Sequence, residues 1–260
     1  MRETKVTNLE SRLRALRTEG RKILVPYVTG YAPNWSDAIR GAVASGADAV
    51  EIGIPFSDPV MDGPVIQRAS TLALANGATL QGILADVRRL DVDVPLIVMC
   101  YYNTVFRAGH ERFAHLVREA GVSGVIVPDL PLEESGDWCA AADAAELATV
   151  MLAAPTAPDE RLPQIAARAR GFVYAVGLLG VTGERESLAA SATTIARRVK
   201  QVTDVPVLVG VGVSDARQAA QVCAVADGVI QGAAIMRRLL DEGVDSVARF
   251  VAEVRHVLDE

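Results

Sequence analysis

"ASGADAVEIGIPFSDPVMDGP", residues 44–64, runs from a helix end through a glycine turn into an apolar strand, then out into a stiff loop. Its first ten residues return twice in altered form, as "EAGVSGVIVPD" (119–129) and "CAVADGVIQG" (223–232). A recurring helix–turn–strand unit points to alternating β and α elements around a parallel sheet. Outward from this stretch, short β-branched runs occur at 23–28, 48–54, 96–101, 124–129, 147–153, 171–176, 206–211 and 227–232. They are continuously apolar, as parallel strands covered on both faces are. Amphipathic helical stretches separate them, for example at 35–45, 78–90, 111–120, 134–145, 159–169, 189–201 and 215–224. No linker or low-complexity segment interrupts the series. Residues 1–260 are therefore expected to form a single α/β domain, a (β/α)8 TIM barrel. An extra N-terminal helix at 7–18, with Leu9, Leu13 and Leu16 on one face, should close the barrel bottom. The last helix, from about 243, should turn Val247, Phe250, Val251, Val254 and Leu258 to the core.

Composition narrows the function classes. Half of the 260 residues are apolar, and the net charge of −6 comes from acids and bases mixed along the chain. No basic run or aromatic–basic patch suggests nucleic acid. No stretch of ~18 apolar residues suggests a membrane span, and the charged start "MRETKVTNLESRLRALRTEG" does not read as a signal peptide. Cys100, Cys139 and Cys223 are odd in number and scattered, which suits reduced thiols in a cytoplasmic protein. "HERFAH" sets His110 and His115 five apart rather than four, so no metal site is expected there.

Barrel chemistry sits on the loops after the C-terminal ends of the strands. Glu51 lies at the end of the second strand and Asp62 on the loop that follows, so both carboxylates can face one mouth. Glu51 could be a buried acid paired with a backbone donor or a cation, yet no lysine or arginine stands nearby in sequence. The alternative is proton transfer: an apolar wall raises a carboxyl's pKa toward neutrality. Glycine-rich loops "GLLGVTG" (177–183), "GVGVSD" (210–215) and "QGAA" (231–234) follow the last three strands. Each could merely be a tight strand-to-helix turn. Together they match the barrel phosphate site, in which backbone N–H groups and helix N-termini hold the anion.

These residues resemble the tryptophan synthase alpha-subunit family. "EIGIPFSDPVMDGP" (51–64) is similar to its signature almost position for position, and the likeness runs from "PYVTGYAP" through "ADGVIQGAAIM". "YYN" (101–103), "PDLPLEES" (128–135), "GVTG" (180–183) and "GVGVS" (210–214) follow at the family's spacing. The resemblance implies a lyase that splits indole-3-glycerol phosphate into indole and glyceraldehyde 3-phosphate. It puts Glu51 and Asp62 on the two catalytic acids and Tyr174 on the tyrosine beside them. Gly183, Gly212, Gly232 and Ala233 fall on the phosphate-binding positions. Tyr27, Met99, Ile126, Leu152 and Ile230 fall on the indole wall, though by themselves they read as ordinary core residues. No cofactor is implied in this chain; pyridoxal phosphate belongs to the beta-subunit partner, in an alpha2beta2 complex. Asp58, Pro59 and Asn103 match positions that contact that partner, although Asp58 could equally serve as a turn former before Pro59.

Three positions depart from the common family pattern. Tyr31-Ala32 stands where a loop aspartate is usual, the lid from Gly177 to Gly183 lacks its arginine, and Ala233 replaces the phosphate-site serine. Both acids survive. These changes keep open a free-standing indole-forming lyase of another pathway, or a non-catalytic barrel that activates a beta partner. A Schiff-base aldolase is disfavoured, because none of the strand ends carries a lysine.

Overall fold

The computed structural model describes residues 8–177, 185–210 and 212–260. The aliphatic runs become strands because each is buried on both faces: β1 (Ile23–Thr29), β2 (Val50–Gly53), β3 (Leu96–Met99), β4 (Val122–Ile126), β5 (Ala148–Ala153), β6 (Val173–Val176), β7 (Val207–Gly210) and β8 (Gly228–Gln231). They pair in parallel in chain order, and β8 closes on β1 with Val25 opposite Ile230. The result is a closed barrel. Around it lie α1 (Leu9–Thr18), α2 (Trp35–Ala44), α3 (Pro64–Ala75), α4 (Leu80–Val87), α5 (Tyr102–Ala108), α6 (His110–Glu119), α7 (Gly136–Ala144), α8 (Leu162–Arg168), α9 (Arg185–Lys200), α10 (Ala216–Cys223), α11 (Ala233–Asp241) and α12 (Val244–Asp259).

The two-residue period of a strand divides its side chains between the two cores. Ile23 and Val25, Ala49, Ile97, Ile126, Val150, Phe172, Leu208 and Ile230 fill the barrel interior. Their neighbours, such as Leu24, Ile52, Val98, Val173 and Val209, pack outward against the helices. Leu9, Leu13 and Leu16 of α1 join the interior cluster, so this helix plugs the barrel floor as expected. Leu9 lies against Gly124 and Gly171, where a Cβ would collide with it. Glu10 accepts the Gly171 N–H at 3.0 Å, fixing the plug to the start of β6. Burying three leucines is worth about 2 kcal/mol each.

The sequence repeat has a physical basis. Asp48 precedes β2 and accepts the N–H of Leu24 on the adjacent strand at 2.9 Å. Asp227 precedes β8 and accepts that of Val207 at 2.9 Å. Each acid is buried beside cations: Arg21 and Arg255 at Asp48, and Lys200 at Asp227. Equivalent carboxylates thus tie neighbouring strands together at the barrel's closed end.

Two features differ from the sequence-based expectation. The fourth strand covers 122–126 rather than 124–129. Pro128 has no N–H for the ladder, and Asp129 turns aside to accept the Tyr102 N–H at 2.8 Å at the start of α5. Second, α3 and α5 are additional to the expected helices, whereas α11 is the helix expected to open after the glycine of the eighth strand. All three sit at the catalytic end, between a strand and its main covering helix.

Candidate active site

Tyr27, Glu51 and Gly53 alternate with outward-facing neighbours, so their side-chain positions all point into the barrel mouth. Tyr27 pairs in register with Glu51, and Tyr174 approaches from the far wall. Both tyrosine hydroxyls fill spaces that glycines leave. A Cβ at Gly53 would strike the Tyr27 phenol, and one at Gly210 would strike that of Tyr174. These two glycines are needed for close approach, not for a turn.

Above the packed interior opens a cavity of about 340 Å³. It is lined by Glu51, Asp62 and Tyr174, by the five residues matched to the indole wall (Tyr27, Met99, Ile126, Leu152 and Ile230), and by Gly212, Gly232 and Ala233. The structure therefore brings together every residue singled out for substrate contact except Gly183, which lies outside the described residues, as do 178–182 of the lid. Two hollows of about 420 Å³ lie elsewhere, one between the β4 and β5 loops and one on the opposite face around Asn8 and Glu146. Neither reaches Glu51 or Asp62.

Glu51 is 3% exposed, and its Oε2 has no hydrogen-bond partner among the described residues. Burial first, and the nearby Asp62 charge second, push its pKa up to about 8. The carboxyl is thus largely protonated at neutral pH. A buried acid paired with a backbone donor or a cation is the alternative, and among the described residues neither is found at Oε2. Asp62 is half-buried, and its pKa is raised by burial while the Tyr101 hydroxyl opposes the rise. Burial also pushes both phenols upward, so Tyr27 and Tyr174 stay neutral.

The loop that carries Asp62 is held at several points. Its closing residues run into α3, where Pro64 opens the helix. Gln67 donates its amide to the Asp62 carbonyl at 2.7 Å. Tyr101, at the end of β3, accepts the Met61 N–H at 3.1 Å, lies beside the Asp62 carboxyl and stacks on Phe56 at 5.1 Å. Sequence reasoning used Tyr101 only as part of "YYN". Its contact spans β3 and the β2 loop, and no local pattern reports that.

At the other end of the cavity, α11 begins at Gly232 without a side-chain cap. Its first N–H groups are therefore unspent donors, aligned with the positive end of the helix dipole. Gly212 has φ +94°, a left-handed conformation that favours glycine. Arg237, on the next turn of α11, also lines the cavity and was not anticipated. Among the described residues no three His, Cys, Asp or Glu side chains group as metal ligands would, and no helix is long and apolar enough to cross a membrane. Asp58 is exposed, with Ser57 donating to it at 2.5 Å. Asn103 is exposed on α5 at the same mouth.

Comparison with known proteins agrees with this geometry. The family described as tryptophan synthase alpha chain matches residues 13–258. A tryptophan synthase alpha chain of Streptomyces coelicolor is 44% identical over 258 residues, covering 94% of this chain and 95% of that protein. One from Methanosarcina mazei is 45% identical over 234 residues, covering 88% and 85%. Among solved structures, Mycobacterium tuberculosis tryptophan synthase superposes with a TM-score of 0.89 at 38% identity, covering 98% of this chain and 99% of that one. The alpha subunit from Legionella pneumophila gives 0.88 at 32% identity, covering 97% and 98%.

Proposed function

The chain belongs to the tryptophan synthase alpha chain family, and on that premise we propose how its side chains divide the reaction between them. The activity is a carbon–carbon lyase reaction: indole-3-glycerol phosphate is split by retro-aldol cleavage into indole and glyceraldehyde 3-phosphate in tryptophan biosynthesis. This chain needs no cofactor, and pyridoxal phosphate belongs to the beta subunit with which the family forms its complex.

Cleavage requires the indole C3 to leave as a carbon with its bonding electrons. Glu51, protonated at neutral pH, gives its proton to C3, while Asp62 accepts from N1–H and neutralises the charge that develops there. The ring becomes an N-protonated indolenine, an electron sink whose positive charge the Asp62 carboxylate offsets. Glu51, now a carboxylate, takes the proton from the side-chain hydroxyl next to the scissile bond. That bond breaks, its electrons restore the indole, and the hydroxyl carbon becomes the aldehyde. Glu51 gives one proton and regains one, so no outside acid or oxidant is needed.

Tyr174 stands beside Glu51 as a neutral phenol that orients the reacting groups. Tyr27, Met99, Ile126, Leu152 and Ile230 form the wall for the indole ring. Gly183, Gly212, Gly232 and Ala233 hold the phosphate through backbone N–H groups. Asp58, Pro59 and Asn103 meet the beta subunit, in an alpha2beta2 assembly. We infer that residues 1–260 work as one barrel domain in the cytoplasm.

The observation that carries this division is the buried Glu51, its Oε2 without a hydrogen-bond partner among the described residues and its pKa raised by burial, in a cavity it shares with Asp62. Glu51→Gln keeps the shape but can neither give nor take the proton. Indole release by the purified variant should fall at least about 100-fold, with substrate binding little changed. A variant retaining more than about a hundredth of the wild-type rate overturns the role.

A further inference from the structure

We propose that Arg237 is a phosphate-recognition residue of this site, a cationic partner to the backbone donors at the start of α11. The inference rests on the reading of Gly212, Gly232 and Ala233 as the phosphate end of the cavity, and it adds a side chain to that reading.

The cavity holds two acids, yet among its described lining residues Arg237 is the single lysine or arginine. A phosphate ester brings up to two negative charges into the same space. Backbone N–H groups and a helix dipole stabilise such a charge only in part. Ala233 contributes no hydroxyl, so a cation has more to supply here than it would beside a serine.

Arg237 stands four residues after Ala233, one turn along the same face of α11. The side chain can therefore reach back beside the Gly232–Ala234 end, where the first N–H groups of the helix are uncapped. Its neighbour is committed elsewhere: the Arg238 guanidinium lies 3.7 Å over the Phe250 ring and donates to the Ala234 carbonyl at 3.0 Å. No carboxylate is paired with Arg237 among the described residues, whereas many other arginines, among them Arg21, Arg68, Arg161 and Arg198, have acidic partners. An unpaired cation facing a cavity that takes a phosphate has an evident ligand. Its planar fork suits two phosphate oxygens at once.

The test is steady-state cleavage of indole-3-glycerol phosphate by wild type, Arg237→Gln, Arg237→Lys and Ala233→Glu. Binding of indole alone, which lacks phosphate, is measured in parallel. Arg237→Gln should raise KM about tenfold, the low end for a charge-assisted hydrogen bond at an exposed side chain. It should leave kcat within about threefold and indole affinity unchanged, with Arg237→Lys falling between. Ala233→Glu sets a negative charge at the helix start, which the helix tolerates well and a phosphate would not, so its KM should rise further still. If Ala233→Glu raises KM while Arg237→Gln does not, the phosphate sits at the helix start without the arginine, and the proposal falls alone. If neither variant moves KM, the phosphate end has been misread and both fall. Equal loss of indole and substrate binding in Arg237→Gln would mean general damage to the pocket, and would also overturn the proposal.

Discussion

At the scale of single residues, the role proposed for Glu51 ties catalysis to stability through one proton. Its pKa in the folded chain is about 8, against an ordinary value of 4.5, because burial and Asp62 both disfavour the carboxylate. A raised pKa means that the folded state holds the proton more tightly than the unfolded state does. The contribution of Glu51 to stability is thus fully present below about 4.5 and is lost as pH rises through about 8. Glu51→Gln has no proton to lose. Its stability relative to wild type should grow from pH 4.5 to 8 and then level off, as thermal or urea denaturation would measure. Wild-type cleavage, which begins with proton donation, should decline above about pH 8. A rate flat to pH 10, or a stability difference that does not change with pH, would contradict this assignment. Glu51 and Asp62 were legible in the sequence because an acid in an apolar run, followed by a loop stiffened with proline and glycine, is costly to keep without use. The five indole-wall residues were not legible on the same terms. Met99, Ile126 and Ile230 are the side chains any barrel interior would hold, and only the cavity above them gives them a role.

At the scale of elements, the site depends on β3 holding a loop that belongs to β2. Tyr101 accepts the Met61 N–H, lies beside the Asp62 carboxyl and stacks on Phe56, so one phenol fixes the loop and tunes its acid. Tyr101→Phe keeps the ring stack and removes only the hydroxyl. Stability should drop by about 1 kcal/mol, the worth of one ordinary hydrogen bond, while kcat should drop about tenfold as Asp62 loses its placement. The hydroxyl lowers the Asp62 pKa, so its removal should raise that pKa. The acid limb of the pH–rate profile, where the Asp62 carboxylate is protonated, should then move to higher pH. A lower rate with an unmoved acid limb would mean that Tyr101 is merely structural. The strands were readable as continuous apolar runs and the main covering helices by their regular period. The helices α3 and α5 were not, for reasons local to each. Pro64 follows a proline- and glycine-rich loop and so reads as its continuation, although proline is welcome at a helix's first turn. α5 spans only Tyr102–Ala108, too short for a period to emerge.

At the scale of the whole molecule, the barrel leaves one face dressed for company. The loop after β2 exposes Val60 at 76%, and α5, which follows β3, exposes Phe106 at 65%. Asp58 is exposed on the same β2 loop and Asn103 on α5. Asp58 is four residues from Asp62, so a beta subunit seated on this face would touch the loop that carries the second acid of the proposed mechanism. The resemblance made this surface legible, while the lid at 178–183 lies outside the described residues and adds nothing to the case. Binding there should fix the Asp62 loop in its working position and raise turnover, as loop closure does in gated enzymes. The isolated chain should therefore be a slow lyase, and a cognate beta subunit should accelerate indole formation. Asp58→Ala removes a charge that is exposed and outside the substrate cavity, so basal activity should stay within about twofold, as for surface substitutions generally. The stimulation should fall several-fold, and more partner should be needed to reach half of it. The assay is indole release at fixed substrate over a titration with beta subunit, wild type and variant side by side. A wild-type chain already fast alone, with a rate no beta subunit alters, would instead mark a free-standing lyase whose exposed β2 loop and α5 serve some other contact.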